Sequence, residues 1–222
     1  MKINTWHVIV TFLLVICYAV FTKNVLITDA FAGKRNQYGD LGPLSIMYYQ
    51  GETAKQQFGD VMHGEFTKAD EMLYSVELAY LLDYNNIIRK IFHPIVDTVQ
   101  IAGNIGLRYD QPHNDHMGEG DLYLVVRWTK FPWRDYLSSS FAIGDGISYL
   151  THIPYTDRFT SSKSNDFRKL LNYLMLEMTF AMPSHPDWQL VARVHHRCTM
   201  YGVYGNSRGG STNVGLGIRY YF

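Results

Sequence analysis

Two side chains near the C-terminal end have the types and spacing of a base and a nucleophile: His196 and Cys198. On an extended segment, residues two apart lie on the same side, because side chains alternate with a period of two. An imidazole beside a thiol can take its proton, and the thiolate is an intrinsically good nucleophile toward an ester. Arg197 and His195 then share the opposite side. The competing reading has this pair touching lipid headgroups without chemistry, or a bulge reversing the phase.

Other groups could do chemistry if their surroundings allowed it. Glu77 and Glu177 have the look of paired catalytic acids, but they fall in phase with several arginines, where internal ion pairing is the expected role. His113, Asp115, His116, Glu119 and Asp121 are carboxylates and imidazoles of the kind that suit a divalent metal. They crowd a stretch that reads as an exposed loop, where solvation suffices, so no metal site and no cofactor are assigned. Asp145, between Gly144 and Gly146, marks a bulge or joins an interior ion network. No phosphate loop, Ser-His-Asp order or nucleotide fingerprint is present.

The elements that must position these groups are strands. Over 211–222 the even positions are Thr212, Val214, Leu216, Ile218, Tyr220 and Phe222, while the odd ones carry Gly215, Gly217 and Arg219. So strict a period of two marks a strand between two different environments. The same pattern runs through 168–182, 122–131, 99–109 and 73–81, with further candidates at 44–50, 141–151 and 188–200. That makes eight. One side of these strands is nearly free of charge. The other carries Glu77 and Glu177 against Arg108, Arg127, Arg193, Arg197 and Arg219. Eight strands close into a barrel just wide enough to be filled by side chains. Charges inside and apolar groups outside imply an all-β, eight-stranded antiparallel transmembrane β-barrel in a bacterial outer membrane. A soluble barrel would reverse the two faces.

The flanking features agree. Lys2 precedes an apolar run over 8–21, about 14 residues broken only by Thr11. That is short for a helix needing roughly 20 residues to span a bilayer and has the form of a secretory signal. Residues 1–32 are therefore read as a signal peptide, with cleavage after Ala30-Phe31-Ala32 or nearer Ala19, and 33–222 as the barrel. With Cys17 in the signal, the exported chain has one thiol and no disulfide. Lys plus Arg and Asp plus Glu both number 20, a balance that excludes an ordinary nucleic-acid binder. Seventeen tyrosines and 18 glycines suit an all-β wall with crowded interior positions.

With both termini periplasmic, Trp128, Trp133, Tyr136, Phe180, Trp188, Tyr220 and Phe222 form one aromatic girdle. The outer loops then fall at 51–71, 110–120, 152–167 and 201–210. The long inner connection over 83–98 carries Ile87 to Phe92 as a short interfacial helix.

The segment Val194-His195-His196-Arg197-Cys198, with Gly209-Gly210-Ser211-Thr212-Asn213 and the terminal Gly217-Ile218-Arg219-Tyr220-Tyr221-Phe222, resembles outer-membrane acyloxyacyl hydrolase-like proteins, relatives of the lipid A 3-O-deacylases. Arg127-Trp128, Phe131-Pro132-Trp133 and Gly144-Asp145-Gly146-Ile147-Ser148-Tyr149 resemble that group too, so the likeness covers about the C-terminal half. It implies an eight-stranded barrel in which a His-x-Ser pair and a Glu on the final strand hydrolyse an acyl ester of lipid A at the lipid-facing wall. His196 matches the His, Cys198 stands where the Ser belongs, and the Glu position falls near Thr212 or Asn213. No carboxylate is there to orient the imidazole. The resemblance thus implies a degenerate site and a structural or partner-docking barrel, with an active His/Cys hydrolase as the alternative. The implied partners are lipopolysaccharide, the barrel-assembly machinery through Phe222, and a possible protein in the outer membrane.

Overall fold

A computed structural model describes residues 41–154, 168–200 and 210–222. Eight strands follow one another: β1 (Leu44–Ala54), β2 (Lys68–Leu81), β3 (Thr98–Asp110), β4 (Asp115–Trp128), β5 (Ser138–Leu150), β6 (Leu170–Ala181), β7 (Trp188–Cys198) and β8 (Thr212–Tyr221). Each pairs antiparallel with its sequence neighbours, and β1 pairs with β8, so the sheet closes. Closure removes every unpaired edge, which a bilayer requires because its core offers no hydrogen bonds to a free backbone. The seam runs from Ser45 opposite Tyr221 to Thr53 opposite Asn213. Phe222 finishes it: its amide donates to the Leu44 carbonyl at 2.9 Å.

The alternation sorts the residues by polarity. Ile105 is 73% exposed on the outer wall, and Arg108, three residues on, is 0% exposed inside. Leu78, Leu122, Leu216 and Ile218 stand exposed outside, while Arg193, Arg197 and Arg219 are buried inside. A soluble protein does not tolerate an apolar band of that extent, and lipid is the medium that matches it. The fold is the all-β, eight-stranded antiparallel barrel that the alternation implied.

Crowding explains two glycines. A Cβ at Gly146 on β5 would lie 2.2 Å from the Leu122 carbonyl oxygen, and one at Gly144 would press against Met175 and Tyr123. Both point into a lumen packed around Tyr123, Tyr173 and Met175. Without side chains they let β4 and β6 bring these large groups inward.

Among the described residues, two short helices lie outside the wall. One, α1 (Phe58–Met62), sits in the β1–β2 connection, and its five residues carry no helical period. The other, α2 (Ile87–Phe92), begins where the Asn86 side chain accepts from the Ile88 amide. It turns Ile87 and Ile91 outward and buries Arg89, which donates to the carbonyls of Leu82 and Asp97. An apolar face outward and a tethered cation inward fit a helix lying at a membrane interface. Trp128 donates from its indole to the Ile95 carbonyl, and stacks on Phe141. Trp188, Tyr220 and Phe222 form a second aromatic group beside the chain end. Among the described residues no helix is long and apolar enough to cross a membrane.

Several expected boundaries need correction. The β1–β2 loop is not 51–71, because β1 continues to Ala54 and β2 starts at Lys68. The β3–β4 connection is not 110–120 but a tight turn over 111–114. The signal segment 1–32, including Cys17, and most of the loops 152–167 and 201–210 lie outside the described residues.

Candidate functional site on the outer wall

His196 and Cys198 project outward from β7, in phase with the lipid-facing Leu190. The cross-strand register defines what surrounds them. His196 lies between Leu174 of β6 and Thr212 of β8, and Cys198 lies opposite Asn172. His196 Nδ1 is 2.9 Å from the Thr212 hydroxyl. The Phe58 ring of α1 stacks over the imidazole with centroids 4.5 Å apart. Cys198 is a free, partly buried thiol, and no hydrogen bond joins it to His196 among the described residues.

A carboxylate does occur on this wall, at a place the sequence reading did not assign it. Asp145 neither makes a bulge nor joins the interior. The β4–β5 and β5–β6 ladders run through it in regular register, opposite Leu124 and Leu174, and its side chain is exposed on the outside. Its Oδ1 accepts from Asn172 Nδ2 at 2.9 Å. Asp145 and His196 are separated by the whole of β6, about 10 Å at the usual strand spacing. The carboxylate therefore reaches the neighbour of Cys198 but not the imidazole. Phase alone would have found Asp145 outside, had the β5 alternation been counted from the buried Ala142 and Ser148.

A polar group facing lipid is costly and usually functional. Across four adjacent strands this wall carries five polar side chains in outward phase, Asp145, Asn172, His196, Cys198 and Thr212, of which Asn172 and Thr212 are buried. Without a carboxylate at the ring, a proton taken by His196 would give an imidazolium stabilised, among the described residues, by the Thr212 hydroxyl, the Ser211 backbone and an aromatic face. The arrangement suits polar contact with a lipid better than general-base catalysis.

The lumen holds the remaining charged candidates. Around Glu177 the structure gathers Arg127 at 2.7 Å, Arg219 at 2.6 Å and Arg193 at 2.5 Å. Glu77 accepts from Arg219 at 3.0 Å, from Arg193, and from the Tyr123 hydroxyl. Both oxygens of each carboxylate are thus engaged, which lets buried charges persist. Arg108 sits nearer the other rim and bonds Glu71 at 2.8 Å and Glu119. Arg197 donates to Ser148 at 2.8 Å and to the Lys169 carbonyl.

The sequence reading missed three interior acids, Glu71, Glu119 and Asp121; His195 is inside as its phase implied, and Glu119 is its partner. It had placed Glu119 and Asp121 in a solvated loop. In fact β4 starts at Asp115 and carries both into the lumen in phase with Tyr123. The polar composition concealed the strand, although the odd positions from Met117 to Arg127 were the available signal. Of that supposed loop cluster, Asp115 pairs with His152, His113 pairs with Asp110, and His116 stacks on Tyr109.

Fold and wall together are those of an outer-membrane β-barrel with a filled, charged lumen. No protein-family model and no curated protein matches the sequence. Among solved structures the chain is similar to the outer membrane enzyme PagL, with 10% identity and a TM-score of 0.52 over 80% of this chain and 99% of that one. It is also similar to the N-terminal β-barrel domain of Pseudomonas aeruginosa OprF, at 14% identity and TM-score 0.42 over 81% and 98% of the two chains. Neisserial surface protein A follows at 10% identity and 0.43 over 81% and 95%. At such identities the likeness to PagL is one of fold.

Proposed function

We propose that this protein is an outer-membrane barrel that engages lipopolysaccharide or a membrane partner through the polar patch on its wall, and that it does not hydrolyse lipid esters. One observation carries the reading: His196 is held by the Thr212 hydroxyl and capped by Phe58, with no carboxylate at the ring among the described residues. A base so placed has lost the group that fixes its tautomer and stabilises its charged form, a loss that costs on the order of 10⁴ in rate in the best-studied triad. In this reading residues 1–32 direct export, both termini are periplasmic, and Phe222 is the aromatic end that the assembly machinery receives.

The alternative is an active lipid A acyl-ester hydrolase with Cys198 as nucleophile and His196 as base. It is favoured by the Asp145–Asn172 pair beside Cys198, which offers polar contact to a bound headgroup. Mass spectrometry of lipid A separates the two. Cells lacking the protein, cells with it, and cells with Cys198→Ala are expected to share one acyl pattern. Loss of an acyl chain that depends on Cys198 would establish the hydrolase instead.

A further inference from the structure

Asp145 sits deeper in the lipid-facing wall than the other polar groups there. It shares one face of β5 with Phe141, Ile143, Ile147 and Tyr149, and it is exposed. Four residues separate it from Phe141, which stacks on Trp128 at one aromatic level, and four from Tyr149 toward the other rim. That is about 13 Å of strand each way. At a strand tilt of about 40° it is about 10 Å of height. The carboxylate therefore lies near the middle of an apolar band that is about 25 Å tall in barrels of this kind. Leu124 and Leu174 flank it across the two ladders. His196 and Cys198, by contrast, stand at the rim end of β7.

The side chain is held in place. Oδ1 accepts from Asn172 Nδ2 at 2.9 Å, and Asn172 is itself buried, with the same amide directed to the Tyr173 carbonyl at 3.4 Å. Oδ2 has no hydrogen-bond partner among the described residues. A neutral amide does not balance a carboxylate. In hydrocarbon such a group pairs with a cation or takes up a proton.

The wall itself supplies no cation at this depth. Among the described residues, Arg108, Arg127, Arg193, Arg197 and Arg219 of the strands are buried inside, and Lys68, at the rim end of β2, pairs with Glu52. A second copy of this chain would bring another carboxylate to the same level. Lipid amines belong to the headgroup layer, outside the hydrocarbon core. A protein segment is what carries a cation to the midplane, where charged side chains pair with one another.

The surface beside Asp145 suits such a segment. On the two strands to one side, Gly120 and Gly103 take the outward phase. A Cβ at Gly120 would meet nothing within 4 Å, and one at Gly103 only a backbone oxygen at 3.9 Å. They leave low points among the exposed Ile105, Leu122 and Ile147. Small residues let membrane-embedded segments approach closely.

We propose that Asp145 is an intramembrane docking point for a second protein, whose embedded segment presents a lysine or arginine among apolar residues. The cation meets Oδ2 while Asn172 holds Oδ1. The proposal rests on the reading that the outer wall engages a partner, and it makes that partner a protein at this depth. The His196 patch nearer the rim stays free to meet headgroups.

The test uses the full barrel folded in phosphatidylcholine vesicles, which carry no net charge. The probe is a dansyl-labelled polyleucine transmembrane peptide with one central lysine, compared with the all-leucine peptide. Energy transfer from the tryptophans of the barrel to dansyl is read as each peptide is titrated. The lysine peptide is expected to bind on the order of tenfold more tightly than the leucine peptide. Asp145→Leu matches the surrounding wall, and Asp145→Asn keeps the shape. Both variants are expected to fold and to lose that preference. No preference for lysine, or a preference undiminished in either variant, overturns the proposal. So does energy transfer between differently labelled barrels that disappears in Asp145→Leu, because the site then belongs to a second copy. The lipid A acyl pattern separately decides whether the wall hydrolyses esters, so failure here and failure of that reading are read from different measurements.

Discussion

Glu177 is the residue on which the lumen depends most, since Arg127, Arg193 and Arg219 all converge on it. Glu177→Ala strands three buried guanidiniums around one lost anion. Breaking a buried pair of this kind costs about 3–5 kcal/mol, so the urea midpoint of the micelle-folded barrel is expected to fall sharply, or the barrel to fail to fold. Asp97, in the connection before β3, gives a milder and pH-dependent case. Burial pushes its carboxyl up, but hydrogen bonds from the Lys130 side chain and the Thr129 and Lys130 amides outweigh this and hold it below its ordinary value. A carboxyl lowered by folding stabilises the fold above its unfolded value and stops doing so as pH falls through the folded one. The stability gap between wild type and Asp97→Asn is therefore expected at pH 7 and should close below about pH 4, read from urea unfolding at each pH. Sequence phase alone was enough to draw Glu77, Glu177 and their arginines together. It could not supply Glu119 and Asp121, whose polar neighbours imitate a loop, nor Asp145, whose flanking glycines suggested a bulge.

At the scale of elements, the strands were legible and their lengths were not. Each strand was recognised from the part that crosses the apolar band, where alternation contrasts most. Toward the far rim the outward residues become polar, as with Gln50 and Glu52 on β1 and His116 on β4, and the two faces no longer differ in composition. The backbone ladder continues there regardless, because hydrogen bonding does not depend on the side chain. Helix α2 was visible because its isoleucine-rich run stands before Pro94. Helix α1 was invisible because its five residues hold no period. The packing of β5 makes a prediction at this scale. Gly146→Ala sets a methyl group against the Leu122 backbone, which cannot swing aside as a side chain would. Overpacking costs about 1–3 kcal/mol, and refolding yield and urea midpoint are both expected to fall. Ile91→Asp on α2 places a charge at the interface without touching the wall. It is expected to leave the barrel folded in micelles while weakening its insertion into vesicles.

The whole molecule is a closed sheet with its polarity turned inside out, and every functional reading here depends on that inversion. It makes the lumen a place for paired charge, and it makes Asp145, His196 and Cys198 unusual because they face the other way. Spin labels along β3 in a Cys198→Ser background measure the inversion directly, with collision rates for oxygen, which dissolves in lipid, and for a water-soluble nickel chelate. In bilayers, labels at Ile101, Ile105 and Leu107 are predicted to collide freely with oxygen and rarely with the chelate, while labels at Gln100 and Ala102 collide rarely with both. Chelate access at Ile101, Ile105 and Leu107, or oxygen access that does not alternate along the strand, would contradict the account.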